Sequence, residues 1–161
     1  MTSFLCLFLI LGAFLFIRLN KNDAARIKRQ LGRLEGMITL SPKERPEPLL
    51  SKIREAKRLI SPDCQVIDAA DGLSGPYPPQ RIAIIIERLQ HQVLWVRLLF
   101  YDIKILFSGK KMATIHCTAR LKGETRSHEL FDEFRELKIS VRKTGGHWQF
   151  FRFEEIEAME K

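Results

Sequence analysis

Cysteine is scarce in this sequence, and the few cysteines present exclude two common classes of small protein. Cys6, Cys64 and Cys117 are the only cysteines among 161 residues. An odd and widely scattered set provides neither a disulfide framework nor the ligand spacing of a zinc site. We therefore expect buried free thiols, because unpaired cysteine is among the most buried residue types.

The sequence also lacks the short motifs that mark most cofactor-dependent enzymes. It contains no glycine-rich phosphate loop and no G-x-S-x-G nucleophile turn. His91, His128 and His147 stand singly, without the spacing of metal ligands. The sequence therefore predicts no cofactor and no metal site.

Acidic residues are outnumbered, with 19 Asp and Glu against 27 Lys and Arg and a formal net charge of +8. Only Asp23 opposes a cluster of basic residues directly behind an apolar N-terminus. The cluster comprises Arg18, Lys21, Arg26, Lys28, Arg29 and Arg33. This placement favours membrane lipid over nucleic acid as the partner of the cluster.

The long apolar run of the sequence extends from Phe4 to Ile17. With its flanks, residues 1–20, it reaches the roughly 17 residues that a helix needs to cross a bilayer. A cleaved signal peptide is disfavoured, because no basic residue precedes the run and no small-x-small cleavage site follows it. We predict a single-pass transmembrane anchor. The basic cluster on its C-terminal side favours a cytoplasmic domain.

Helices separated by short breaks are predicted behind the anchor. Residues 21–40 form a basic amphipathic helix that Asn22 or Asp23 can cap. Its apolar stripe consists of Ile27, Leu31, Leu34 and Ile38. Residues 41–48, rich in proline and charge, form a linker. A second helix is expected from Glu47 to Ile60.

A third helix is predicted to begin at Pro79, because proline suits the first turn of a helix. Its inward residues are predicted to be Ile82, Ile85, Ile86 and Leu89. Between the second and third helices, Cys64 to Asp68 is typical of a strand, and Asp71 to Pro79 of a loop.

The rest of the chain predicts long antiparallel strands. In the strand Leu94 to Phe107, the apolar positions change phase around Phe100 to Asp102, which indicates a β-bulge. A second strand covers Lys111 to Lys122. Two more, within His128 to Met159, form a hairpin around Gly145-Gly146. In the last strand, Trp148 and Phe150 occupy one phase, and Phe151 and Phe153 the other.

With helices first and long strands last, the chain resembles the nuclear transport factor 2-like (SnoaL-like) superfamily over residues 22–159. The resemblance rests on the segments Ser61 to Val66, Phe100 to Ile105, Ala113 to Leu121, Leu137 to Lys143 and Gly146 to Phe150. The resemblance implies an α+β cone: about three helices packed on a curved, mainly antiparallel sheet, with a pocket at the open end. The domain spans residues 22–161, of which 49–161 follow the linker.

Enzymes of this superfamily place a carboxylate or histidine inside the cone, which makes Asp68, Asp102, His116 and Asp132 the candidates. His116 shares its strand phase with polar residues and is expected to face outward. Asp68 fits an Asx turn, and Asp132 a salt-bridged edge. Asp102 at the bulge is the best candidate base. No acid–base pair of the superfamily can be matched residue by residue, so the sequence does not support an enzyme.

We therefore expect a membrane-tethered, non-catalytic module that binds a ligand or a protein partner. Phe151 and Phe153 would leave an apolar patch on the second sheet face, a frequent dimer surface in this superfamily. One alternative is a small-molecule isomerase or dehydratase that uses the cone pocket. Another is a scaffold subunit of a membrane complex, as in type IV secretion systems. Nucleic-acid binding by the aromatic and basic residues of the last strand is disfavoured.

Overall fold

A computed structural model describes the backbone of residues 2–68 and 72–156, and the side chains of these segments from Ile17 onward. The described residues form an α+β fold of three helices and a six-stranded mixed sheet. The helices are α1 (Thr2–Ile38), α2 (Leu49–Leu59) and α3 (Pro79–Gln92). The strands are β1 (Ile60–Ile67), β2 (Gly75–Pro76), β3 (Val93–Phe107), β4 (Met112–Thr125), β5 (Leu130–Thr144) and β6 (His147–Ile156).

The sheet has the strand order β2-β1-β6-β5-β4-β3. From β3 to β6 it is an antiparallel meander, as the alternating patterns predicted, whereas β1 pairs with β6 in parallel. The hairpin between β5 and β6 turns at Gly145 and Gly146, with φ of 56° and 79°. Glycine adopts such positive φ values without steric cost, which explains the tight turn.

The prediction of an anchor followed by a separate, capped helix is wrong in one respect, because α1 runs from Thr2 to Ile38 without a break. Asp23 lies inside this helix and caps nothing. Its carboxylate instead accepts hydrogen bonds from the indole Nε1 of Trp148 and from Nζ of Lys143, both at 3.2 Å. Asp23 therefore joins α1 to the β5–β6 hairpin.

The structure leaves the predicted transmembrane anchor, residues 1–20, largely untested. Met1 and the side chains of residues 2–16 lie outside the part that the structure describes. Within the described part, no helix is both long enough and apolar enough to cross a membrane.

The main core lies between the helices and the inner face of the sheet. The predicted stripe of α1 is confirmed: Ile27, Leu31 and Leu34 are buried there, and Ile38 packs against them. The largest fully buried side chains of the sheet include Trp148, Phe150, Ile60, Ile115 and Ile139. The inward position predicted for Ile85 is wrong, because this residue is 44% exposed and Ala83 and Gln90 are buried in its place.

In the long strands β3 and β6, β-bulges determine which side chains face the core. In β3 the register shifts between Tyr101 and Lys104, and Asp102 has φ 52°, which confirms the predicted bulge. In β6 a second bulge leaves Phe151 without a partner in the register. The phase then changes, and Phe153 pairs with the buried Ile139 and packs against the core. The prediction that Phe153 lies on the outer face is therefore wrong.

The first strand begins earlier than its pattern indicated. The pattern predicted a strand from Cys64, but Ser61 and Pro62 already belong to β1. The pairing of β1 with β6 is irregular between Ile60 and Gln65. A proline, which cannot donate to a ladder, is tolerated in such an irregular stretch.

Candidate functional site

The inner face of the sheet, where the resemblance placed a catalytic pocket, is filled with apolar side chains. Among the described residues, no carboxylate and no imidazole belongs to the buried core. The titratable groups there are the thiols of Cys64 and Cys117, and burial raises the pKa of each to about 12. Both thiols stay protonated at neutral pH, so this interior offers no acid–base pair.

Asp102 and His116 lie on the neighbouring strands β3 and β4, whereas Asp68 lies toward the opposite edge of the sheet. Asp102 is exposed at the β3 bulge. His116 lies on the outer face of the sheet, at a register position between Lys104 and Lys138. Asp68 follows β1, where its backbone exchanges hydrogen bonds of 2.9 and 3.0 Å with the Ser74 hydroxyl. The fold does not bring these three side chains together.

Asp132 belongs to a salt bridge on the same outer face. The guanidinium of Arg120 donates two hydrogen bonds to its carboxylate, at 2.8 and 2.6 Å. These bonds lower the pKa of Asp132, and the same guanidinium lies 4.9 Å from the ring centroid of Phe134. Asp132 is thus held as a charged partner and is not poised to accept a proton.

Phe151 is half-buried on the outer face, where the guanidinium of Arg142 lies 5.1 Å from its ring centroid. Other large apolar side chains of β3 and β5 are more exposed, among them Tyr101, Leu106 and Phe134. An apolar outer face is therefore present, but its composition differs from the prediction. That it pairs with a second copy or a protein partner stays a prediction.

A polar groove lies outside the core, between the C-terminal part of α1, the loop 39–48, α2 and α3. We call it the helix groove; it encloses about 370 Å³. Its arginines come from three different segments: Arg33 from α1, Arg45 from the loop, and Arg54 and Arg58 from α2. A volume of this size falls within the range of small-molecule sites, which is about 300–1,000 Å³.

Local helix geometry places these arginines around the groove. In α2, Lys52, Ala56 and Leu59 face the protein interior, which leaves Arg54 and Arg58 together on an outward face, one turn apart. Arg58 contacts Glu55 at 3.8 Å. Within the described residues, Arg33, Arg45 and Arg54 have no ion-pair partner.

Gln90 forms part of the wall of the helix groove and is only 3% exposed. Its amide nitrogen donates to the carbonyl oxygens of Met37 and Ile38, at 3.2 and 3.0 Å, and so caps the end of α1. These two acceptors fix the orientation of the amide, because only its NH₂ group can donate. Its other atom, Oε1, has no hydrogen-bond partner among the described residues.

Lys52 lines the same groove and is also only 3% exposed. Its ammonium group forms a salt bridge with Glu87 of α3, and Glu87 also contacts His91 at 2.8 Å. The hydrogen bond from Lys52, followed by that with His91, lowers the pKa of Glu87. The pair fastens α2 to α3 beneath the groove.

The six residues predicted to meet a membrane surface are all exposed along α1. Three of them, Arg26, Arg29 and Arg33, line a second cavity of about 330 Å³ against the tip of the β5–β6 hairpin. Arg33 borders both cavities. The exposed face of α1 therefore forms a continuous basic stripe that leads to the helix groove.

Sequence reasoning missed the helix groove because its residues are far apart in the chain. One local signal pointed to it: Gln90 lies one turn after Ile86 on the apolar face of α3. A polar side chain at an inward helical position needs a partner inside the protein. Which partner it has depends on where α1 ends, and no spacing in α3 predicts that.

No family profile and no curated protein matches this sequence. Solved structures do match the fold. A putative scytalone dehydratase from Novosphingobium aromaticivorans has a TM-score of 0.67 and 16% identity, and the match covers 89% of each chain. A hexachlorocyclohexane dehydrochlorinase (LinA type 2) has a TM-score of 0.67 and 8% identity, with 86% of each chain covered.

A third similar structure is a putative calcium/calmodulin-dependent protein kinase II association domain from Xanthomonas campestris. Its TM-score is 0.59 at 9% identity, with 87% of this chain and 88% of that chain covered. One fold therefore carries both enzymes and an association domain, and identities this low are evidence of fold alone. The described part of this chain has the α+β cone fold of the nuclear transport factor 2-like type.

Proposed function

We propose that the protein is a non-catalytic binding module that α1 tethers to a membrane. The supporting observation is that α1 is one helix with two parts of different character. From Asp23 onward it contacts the hairpin and the core. Before that point it contains the apolar run Phe4 to Ile17, and Ile17 and Leu19 are each 54% exposed. A single helix would thus hold the domain at a fixed distance from the bilayer.

The continuous helix divides the basic cluster by distance from the lipid. If the span ends at Ile17, Lys21 lies about 6 Å beyond it and Arg33 about 24 Å, at 1.5 Å per residue. Since the Debye length is about 8 Å at physiological salt, only Arg18 and Lys21 would lie close enough to attract anionic headgroups strongly. Arg26, Lys28, Arg29 and Arg33, which were also predicted to meet membrane lipid, would then lie too far from the headgroups to bind them strongly.

The closed interior favours binding over catalysis. A dehydratase or isomerase would need a base and an acid within hydrogen-bond reach of one substrate. Asp68 lies across the sheet from Asp102 and His116, and no hydrogen bond joins Asp102 to His116 among the described residues. The buried core offers only protonated thiols. The positive charge behind the span favours a cytoplasmic domain, where a scaffold subunit of a membrane complex would also fit.

The tether can be tested by replacing Leu9 and Ile10 with arginine in the full chain. Charged residues near the middle of a span disfavour insertion by about 3 kcal/mol each. We expect the wild-type chain to remain in the membrane pellet after alkaline carbonate extraction, and the double variant to move to the supernatant.

A matched control is Leu50→Arg, which adds a charge at a leucine of α2 that is 76% exposed. This variant should stay in the pellet. Extraction of the wild-type chain by carbonate would contradict the tether.

A further inference from the structure

From the helix groove we infer a binding site for a phosphorylated polyol, a small molecule that carries both a phosphate and free hydroxyl groups. The inference rests on the proposal that the domain is a binding module, but it does not need the tether. Three features support it: the unpaired arginines, the excess of basic over acidic side chains along the groove and the unsatisfied oxygen of Gln90.

The arginines supply the hydrogen-bond donors and the positive charge that would bind the phosphate. Arg33, Arg45 and Arg54 border one cavity from three segments, and none of them has an ion-pair partner within the described residues. Guanidinium groups that approach from different directions suit a tetrahedral phosphate, which accepts hydrogen bonds on several oxygens. A lone carboxylate would occupy only one such group in the bidentate manner.

The carboxylates of the groove, from Glu44, Glu47 and Glu55, are fewer than its basic side chains. Glu44 accepts from the Ser41 amide at 3.0 Å, Glu47 from the Ser51 hydroxyl at 3.0 Å, and Glu55 contacts Arg58 at 3.8 Å. The Ser41 amide and the Ser51 hydroxyl are neutral, so Glu44 and Glu47 keep their negative charges. With the Arg58–Glu55 and Lys52–Glu87 pairs set aside, the three arginines Arg33, Arg45 and Arg54 exceed these two carboxylates by one charge. An anionic ligand fits that balance.

The amide oxygen of Gln90 supplies an acceptor for a hydroxyl group of the ligand. An acceptor that is buried without a partner costs about 1–3 kcal/mol, and a ligand that brings a donor removes this cost. Phosphate oxygens cannot supply that donor when fully ionised, but a polyol can. Gln90 also lines an adjoining cavity next to the loop 39–48.

Calorimetric titration of the full chain in a polyoxyethylene detergent tests the inference with three probes. The probes are sn-glycerol 3-phosphate, methyl phosphate, which has the same charge but no hydroxyls, and glycerol. We expect glycerol 3-phosphate to bind about ten-fold more tightly than methyl phosphate, because one satisfied buried acceptor is worth that much. Glycerol alone should not bind measurably.

Substitutions test the phosphate-binding arginines and the hydroxyl-binding Gln90 separately. Arg33→Gln and Arg54→Gln should each weaken both phosphate probes about ten-fold, since each removes a charged hydrogen-bond donor. The control Arg88→Gln, at an exposed arginine of α3 that does not line the groove, should change neither. Gln90→Met should remove only the preference for glycerol 3-phosphate. If Gln90→Met does not fold, the comparison of the two probes on the wild-type chain still tests the hydroxyl.

Equal affinity for the two phosphate probes would overturn the role of Gln90 and indicate a bound water molecule in its place. Unchanged affinity in Arg33→Gln and Arg54→Gln, or no phosphate binding at all, would overturn the site. Such a result would leave the tether standing if the chain still resists carbonate extraction.

The same titration in vesicles identifies the source of the ligand. If the ligand is a lipid headgroup, phosphatidylglycerol in the vesicles should compete with glycerol 3-phosphate. If it is a soluble compound, the affinity should be equal in phosphatidylglycerol and phosphatidylcholine vesicles.

Discussion

Trp148→Ala is expected to lower the free energy of unfolding by about 3–5 kcal/mol, the range for removing a large aromatic side chain from a core. Trp148 is 2% exposed, and its ring meets that of Phe107 edge to face at 6.1 Å. Its indole nitrogen also donates to Asp23, so the substitution removes a link between α1 and the hairpin. Urea unfolding of the full chain in detergent, followed by circular dichroism, measures the loss.

The matched control is the other tryptophan of the chain. Trp95 is only half-buried, and its indole nitrogen donates to the exposed end of β4, at Glu124, over 3.1 Å. We expect Trp95→Ala to cost less than half as much, because less apolar surface is lost. Equal losses for the two variants would mean that Trp148 does not hold the core as described.

Glu87→Leu should cost about 3 kcal/mol of stability, because it leaves the ammonium of Lys52 buried without a counter-charge. Lys52 is 3% exposed, and Glu87 is its partner. The double variant Lys52→Met with Glu87→Leu should recover most of the loss, since an apolar pair of similar volume is often as stable as a buried ion pair. A double variant no more stable than Glu87→Leu would contradict this account.

The same pair predicts a pH dependence. The pKa of Glu87 lies below its ordinary value of 4.5 in the folded protein, chiefly because Lys52 donates to it. A lowered pKa means that the ionised form stabilises the fold at neutral pH, and that this contribution is lost as the pH falls through the folded value. We therefore expect the double variant to lose less stability than the wild type below about pH 4.5.

The sequence predicted those structural elements that are determined by residues close together in the chain. The start of α3 at Pro79, the bulge at Asp102 and the turn at Gly145-Gly146 each depend on a few neighbouring residues. The bulge in β6 carried the same kind of signal, since Phe150 and Phe151 are adjacent apolar residues that break the alternation. The sequence instead indicated one strand face in the core and a second face carrying both Phe151 and Phe153, because the pairing of Phe153 with Ile139 is not visible in β6 alone.

The candidate site was less predictable, because it depends on how the three helices pack. Basic residues of α1 and α2 are evident in the sequence, but their meeting around one cavity is not. Equally, the apolar pattern of the sheet predicted a core but could not say whether that core would leave a pocket. The large side chains of Trp148, Phe150 and Phe107 fill the space that such a pocket would occupy.

The most direct test of the tethered module measures whether one helix joins the apolar run to the domain. Native Cys6 and a substituted Arg29→Cys can carry spin labels in lipid nanodiscs, since burial and a raised pKa leave Cys64 and Cys117 unreactive. A single helix predicts one narrow distance distribution near 35 Å, from 23 residues at about 1.5 Å each. A broad or much shorter distribution would contradict the account, because the domain would then not be held by α1.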